Sequence, residues 1–318
     1  MPLQAEPVFN GLAQRLPQFA LGAAPSDDGG YRAFYQLDSK AEFPQFQHSL
    51  GQICCGQFDI AVQCWHQADA SGTLYLVHGL FDHVGLYGHL IRMGLAQGMN
   101  VVCFDLPGHG LSSGPRAEIE TFAQYRQALE AVLACTDGLA RPRHVVAQST
   151  GGAAVMDYLQ QTDDSMFAGV VLLAPLIWPQ GWRGVSLAHA VLRLLVQSIP
   201  RSFAENSHDA AFLRFLREDP LQPRVITVVW LSALKQWLKA FLRRAPCPAA
   251  MLVLQGDADT TVDWRRNMPE LQKRFPQARI ETLDSARHHL ANEHVPIRDP
   301  MLARIAEYLA EATATATA

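Results

Sequence analysis

Arg143-His144-Val145-Val146-Ala147-Gln148-Ser149-Thr150-Gly151-Gly152 is the stretch on which the fold of this chain turns. It starts as a short apolar run and ends in small residues. Ala153–Leu159 follows with helical spacing, so the segment reads as strand, sharp turn and helix with a serine at the tip. Small residues at such a turn let strand and helix approach closely and let a strained backbone persist. Two readings of Ser149 follow. Its hydroxyl is held out of the sheet edge toward a cavity, or it merely N-caps the helix, for which serine is favoured. The first reading demands a base, an orienting acid and an oxyanion site elsewhere in the chain.

Outward from this stretch the same rhythm repeats. Thr73–Val77, Val101–Phe104 and Val170–Leu173 are apolar runs, separated by helical patterns over Tyr87–Ala96 and about Thr121–Ala134. Unbroken runs suit strands buried on both faces, and strands alternating with helices imply right-handed β-α-β units in a parallel sheet. Phe58, Ile60, Val62 and Cys64 alternate with Asp59, Ala61 and Gln63, which predicts a strand with one covered face. The rhythm stops at Pro175. Residues 176–245 read as helix, with Leu187, Val191, Leu194, Leu195 and Ile199 on one face opposite His189, Arg193 and Gln197. Strands resume at Ala249–Leu254 and Arg279–Leu283, and Met301–Ala310 closes as a helix.

The expected organisation is therefore an α/β core from 51–175 and 246–310, with a helical cap over 176–245. Residues 1–50 are an extension, wrapped over the domain or partly disordered, and 311–318 are read as a disordered tail. There is no internal repeat.

Composition narrows the function. With 318 residues, 49% hydrophobic and 18% charged, the chain can bury a large core. A formal net charge of -4 without a basic run excludes nucleic acid as an expected partner. The six cysteines show no C-x-x-C spacing and read as reduced, mostly buried thiols of a cytoplasmic protein. The N-terminus lacks a signal-peptide pattern, and no apolar run reaches the length of about 18 that spans a bilayer. Gly108–Gly110 lacks the Gly-Lys-Ser/Thr ending of a phosphate loop, and no histidine pair has metal-ligand spacing. No metal and no cofactor are expected.

Ligands of an open parallel sheet bind beyond the carboxyl ends of its strands. Four loops at such positions carry His78-Gly79-Leu80-Phe81, Ser149, Gly256-Asp257-Ala258-Asp259 and Arg287-His288-His289. Serine, then aspartate, then histidine is the chain order of a nucleophile-elbow hydrolase.

These pieces resemble the α/β-hydrolase superfamily, and within it the monoacylglycerol lipase and lysophospholipase group. The matching motifs are L-V-H-G-L-F-D-H-V-G-L-Y at 76–87, F-D-L-P-G-H-G-L-S-S-G-P at 104–115, A-Q-S-T-G-G at 147–152, L-Q-G-D-A-D-T-T-V-D at 254–263 and A-R-H-H-L-A-N-E at 286–293. They cover roughly residues 70–300 in order. Ala147 stands where G-x-S-x-G has its first glycine. The resemblance implies Ser149 as nucleophile, His288 as base and Asp259 as its orienting acid. Leu290 and Glu293 stand two and five residues after His288, as the family pattern asks, which selects it over His289. The G-x-x-D spacing selects Asp259 over Asp257 and Asp263. Backbone N–H groups of Leu80 and Thr150 would hold the oxyanion, and Phe81 and Leu176 would touch substrate. His78, His83 and His109 are read as scaffold.

The implied activity is hydrolysis of carboxylic esters of small or lipid-like molecules through an acyl-enzyme. The cap residues Leu187, Val191, Leu194, Trp230 and Trp237 either line an acyl pocket or only pack the cap onto the core, and transient contact with a membrane surface is compatible with such a cap. Three alternatives remain. One is an aminopeptidase of the same fold, with Glu205, Asp209, Glu218 or Asp219 binding the substrate amine. The others are an acyltransferase and a silent binding protein. Glu218-Asp219 before Pro220 otherwise reads as a solvated helix end. Nothing in the sequence sets the acyl length, the alcohol part or the oligomeric state.

Overall fold

The computed structural model describes residues 9, 11–25, 27–162, 166–192 and 195–317, the side chains of 190–192 and 317 excepted. An eight-stranded sheet runs β1 (Gln47–Cys55), β2 (Phe58–His66), β4 (Asn100–Phe104), β3 (Thr73–Val77), β5 (Arg143–Gln148), β6 (Gly169–Leu173), β9 (Met251–Gly256), β10 (Ala278–Leu283). The pairs β1–β2 and β2–β4 are antiparallel; all others are parallel. This is the mostly parallel sheet that the apolar runs predict. Every residue of β3, β4, β5, β6 and β9 is buried. Successive side chains point to opposite faces, so Tyr75 and Val77 join one hydrophobic cluster while Leu74 and Leu76 join the other.

Helices α2 (Gly88–Ala96), α3 (Ala123–Cys135), α4 (Thr150–Leu159), α8 (Trp264–Arg274) and α9 (Val295–Thr317) flank the sheet. Helix α9 passes through the segment read as a disordered tail. Alanine is the strongest helix former, and the hydroxyls of Thr313 and Thr315 bond back to the carbonyls of Leu309 and Glu311, one turn earlier. Thr313 Oγ1 also meets His144 Nε2 at 2.9 Å, tying the end of the helix to β5.

The N-terminal residues wrap the sheet. Phe19 N–H donates to Gln52 O, and Gln52 N–H to Pro17 O. A side chain at Gly51 would stand 2.7 Å from Phe19 Cα, so the crossing needs a glycine. Short helix α1 (Tyr31–Phe34) brings Tyr31 and Tyr35 into the core with Phe9, Leu12 and Leu16. Tyr31 accepts a hydrogen bond from Gln63 in β2. This cover explains why β2 buries nearly all of its residues where alternation predicts one covered face. Strand β1 begins at Gln47, ahead of the boundary expected at 51.

Between β6 and β9 lie α5 (Trp182–Leu192), β7 (Ser198–Pro200), α6 (Ala210–Glu218), β8 (Val225–Thr227) and α7 (Val228–Phe241), with β7 and β8 paired antiparallel across α6. This two-stranded ribbon departs from the all-helical expectation. Its β-branched Ile199 and Ile226 pair across the strands, and Pro200 and Pro223 favour extended backbone around them. The face of α5 is also turned from its predicted one. His189 is buried against Ser232 at 2.8 Å, while Leu187 is 76% exposed. A hydroxyl on α7 satisfies the imidazole, so it can be the inward residue. Val191 and Leu194, named on the expected apolar face, fall outside the described side chains. All six cysteines are free, but just Cys64 and Cys103 are buried, fewer than expected.

Candidate active site

Ser149 closes β5 and opens α4 with φ 50° and ψ −112°, a conformation that a residue bearing a Cβ rarely adopts. Sheet and turn impose it. Ser149 N–H donates to Leu173 O at 2.9 Å, and Leu176 N–H donates to Ser149 O at 3.0 Å. Helix α4 presses on the end of β3, where a side chain on Gly151 would stand 2.4 Å from Val77 O. Ala147, in place of a glycine, sits in register between Val77 and Leu172 with its methyl group in the core. The serine side chain makes no helix-capping bond.

The Ser149 hydroxyl instead meets His288 Nε2 at 3.1 Å, and His288 Nδ1 meets Asp259 Oδ2 at 2.7 Å. The sheet register brings these three loops together, because β5, β6, β9 and β10 all end at the same edge. Asp259 Oδ1 accepts from the N–H groups of Thr261 and Val262, and Oδ2 also accepts from Gln255 Nε2. Burial alone would raise its pKa, but the charge and hydrogen bond of His288 and the two backbone donors hold it below the ordinary 3.8. Burial works against a charged imidazole at His288, yet the Asp259 carboxylate outweighs it and raises the pKa above 6.5. A side chain on Gly256 would stand 2.2 Å from Ala286 O, so β9 needs its terminal glycine beside the histidine loop.

His289 is turned away. Its Nε2 lies 3.3 Å from Asp82 Oδ2 and its ring packs edge-on to Phe212. Asp257 accepts from Ser285 N–H, as a loop carboxylate does, whereas Asp263 precedes α8 without a capping bond. Gln148, which the sequence reading passed over, braces the histidine loop by donating to His288 O and accepting from Ala291 N–H. Its place next to the turn serine was the available signal.

Leu80, Phe81, Ser149, Thr150, Leu176 and His288 share the wall of one cavity of about 290 Å³. The N–H groups of Leu80 and Thr150 donate to no acceptor among the described residues, as expected for a loop tip and a first helical position. Val185, Ile199, Ile226, Trp230 and Leu231 supply apolar wall from residues 176–245. Trp237 does not reach the cavity; it stacks on Phe122 and donates to Asp157 Oδ1 at 3.0 Å. His78 and His109 are buried and bonded to the backbone, and burial pushes their pKa values down to about 3 and about 4.

The four carboxylates considered for amine binding do not line the cavity. Asp209 caps α6, and Glu205 is exposed beside Arg287. Asp219 is fully buried, not a solvated helix end, and bonds His83 Nε2 and Tyr35 O–H at 2.7 Å each. Tertiary folding supplies those partners, so residue order gives no sign of them. His208, Glu293 and His294 form a metal-like group whose ligand atoms lie within 4.8 Å of one another. The Glu293 oxygens already accept from the N–H groups of Arg287, His208 and His294, which makes them loop braces.

The family profile described as serine aminopeptidase, S33, matches residues 68–295. A monoacylglycerol lipase of Mycolicibacterium smegmatis is 27% identical over 231 residues, covering 68% of this chain and 80% of the relative. An uncharacterised abhydrolase domain-containing protein of Dictyostelium discoideum is 26% identical over 250 residues, 75% of this chain; the chain spans 26% of that relative. A solved structure of a soluble variant of monoglyceride lipase from Saccharomyces cerevisiae, in complex with a substrate analog, superposes with a TM-score of 0.70. It is 17% identical and covers 83% of this chain and 96% of that one, a likeness of fold.

Proposed function

Because the chain belongs to the serine aminopeptidase (S33) family of α/β-hydrolases, we propose that it is a serine hydrolase cleaving carboxylic esters of lipid-like molecules, monoacylglycerols or lysophospholipids, through an acyl-enzyme. One observation carries the reading: the chain Ser149–His288–Asp259 opens into a largely apolar cavity. His288 Nε2 takes the Ser149 proton as Oγ bonds to the acyl carbon. The carbonyl oxygen gains negative charge and is met by the N–H groups of Leu80 and Thr150, a kind of donor worth about 100- to 1000-fold in rate. His288 then gives its proton to the leaving alcohol, and Asp259 steadies the imidazolium between the two transfers. Water repeats the sequence on the acyl-enzyme and frees the acid.

Cavity chemistry favours ester over aminoacyl substrates. An amino group needs a carboxylate, and the acidic residue in the cavity wall, Asp82, is engaged by Tyr87 O–H at 3.0 Å and by His289. The lipase relative supports the same direction, while the family's printed description keeps amide cleavage as the second reading. Side-by-side turnover of p-nitrophenyl esters and aminoacyl p-nitroanilides decides: faster anilide cleavage would reverse the assignment. A fluorophosphonate should label the protein, and Ser149→Ala should abolish the labelling. Labelling that survives this substitution would remove Ser149 from the mechanism.

The proposed arrangement is a core, from 51–175 and 246–310, under a cap. Exposed Leu187, Leu195, Val196 and Val229 on that cap support transient contact with a lipid surface. No helix among the described residues is long and apolar enough to cross a membrane.

A further inference from the structure

A guanidinium stands in the wall of this apolar cavity. Arg201 follows β7, two residues after Ile199, so strand alternation turns both side chains the same way, and both line the cavity. The Arg201 guanidinium lies 4.1 Å from the ring centre of Phe81 and 4.6 Å from that of Phe203. Nη1 donates to Gln222 Oε1 and Pro223 O. Nε and Nη2 have no acceptor among the described residues, and no described carboxylate comes within ion-pair reach of the group. Asp82, the acidic neighbour, spends its Oδ2 on Tyr87 and His289. Burial pushes the guanidinium down to about 10, so it remains charged at neutral pH. A second cation, Arg224, stands 5.1 Å from the Phe203 ring.

A half-buried cation in an apolar wall, with free donors and its charge only partly offset by Asp82 and Asp219 at longer range, suits an anion. Its place says which anion. Phe81 directly follows Leu80, whose N–H is proposed to hold the carbonyl oxygen, and both line the cavity. An anion on Arg201 therefore lies about one side chain from the scissile ester. That distance suits the alcohol part of the substrate and not the far end of an acyl chain. Asn206, also in the wall, has a buried carboxamide oxygen without a partner among the described residues, ready for a neighbouring hydroxyl.

We infer that Arg201, seated on Phe81 beside the oxyanion loop, is an anion-binding subsite that selects esters whose alcohol part carries a phosphate or carboxylate. The inference rests on the ester-hydrolase reading above.

The test compares kcat/KM for 1-decanoylglycerol, 1-decanoylglycerol 3-phosphate and 3-(decanoyloxy)propanoate in the intact protein, Arg201→Gln and Arg201→Lys. The intact protein should prefer at least one anionic ester by about tenfold or more, as a charge-assisted hydrogen bond supplies. Which anionic ester is preferred tells phosphate from carboxylate. In Arg201→Gln this ratio should collapse, mainly through KM, and Arg201→Lys should keep most of it. Decyl phosphate should compete with fluorophosphonate labelling of the intact protein more strongly than decanol does, and should lose that advantage in Arg201→Gln. Equal kcat/KM for charged and neutral esters, or an unchanged ratio in Arg201→Gln, overturns the subsite. So does a ratio lost equally in Arg201→Lys, which would mark a packing role. Hydrolysis of 1-decanoylglycerol without charge preference removes this inference alone; no turnover of any ester removes the ester reading with it.

Discussion

Ser149 carries a backbone conformation that costs on the order of 1–3 kcal/mol wherever it occurs, and it makes no cap with its hydroxyl. Both facts fit a side chain whose orientation serves the cavity. Ser149→Ala should lower kcat about 10⁴- to 10⁶-fold with little change in KM, read by steady-state kinetics on an ester. A loss below tenfold would reject the nucleophile. The pH profile tests His288. Its neutral form must take the proton, and Asp259 raises its pKa, so the acid limb of kcat/KM should have its midpoint above pH 6.5. Asp259→Asn removes that support and should move the limb to lower pH while cutting kcat about 10⁴-fold. A limb that stays in place would assign it to another group.

At the scale of elements, the loop after β3 and the end of α6 are joined by the buried group His83–Asp219–Tyr35. Burial opposes charge on both ionisable partners, but each holds the other charged: Asp219 falls below its ordinary 3.8 and His83 rises above 6.5. The Asp219 contribution to stability is present above pH 3.8 and is lost as pH falls through its lowered value. The His83 contribution is full below pH 6.5 and is lost as pH rises through its raised value. The pair therefore stabilises most between these limits. Asp219→Asn should cost about 3–5 kcal/mol, since it strips a buried partner. The loss, read by thermal unfolding, should be larger at pH 6 than at pH 9; a pH-independent loss would contradict the charged pairing. Gly256→Ala acts on a different element. Its methyl group would meet Ala286 O and shift the histidine loop, so kcat should fall while the sheet still forms by circular dichroism.

At the scale of the whole molecule, two of the places where the proposed cap docks are built on buried carboxylates. Asp157 of α4 binds Trp237 of α7 and Arg244 of the segment that leads out of that helix, together with Arg126 of α3. Asp219 binds the loop beside the oxyanion position. These groups share no partner among the described residues, so the stability losses of Asp157→Asn and Asp219→Asn should add to within about 0.5 kcal/mol in the double variant. Non-additivity above about 1 kcal/mol would show that the cap responds as one coupled body.

The order of strands and helices was legible in the chain, because buried parallel strands are unbroken apolar runs and each is bounded by its own turn residues. The loops that carry Ser149, Asp257-Ala258-Asp259 and His288-His289 were legible for the same reason: each follows such a strand, and topology sends all strand ends to one edge, while the choice of Asp259 and His288 within them came from the family resemblance. What α5 buries, what covers β2 and where the chain ends its last helix were not, since they depend on partners distant in sequence. His189 finds Ser232, Gln63 finds Tyr31 and Thr313 finds His144. The sequence by itself determined the architecture and the candidate reacting groups, which local periodicity, loop position and the family's motifs encode. Tertiary structure alone decided that Asp219 is a buried brace and that Arg201 is a cation facing the cavity. Burial and charge pairing are properties of the folded neighbourhood, not of residue order.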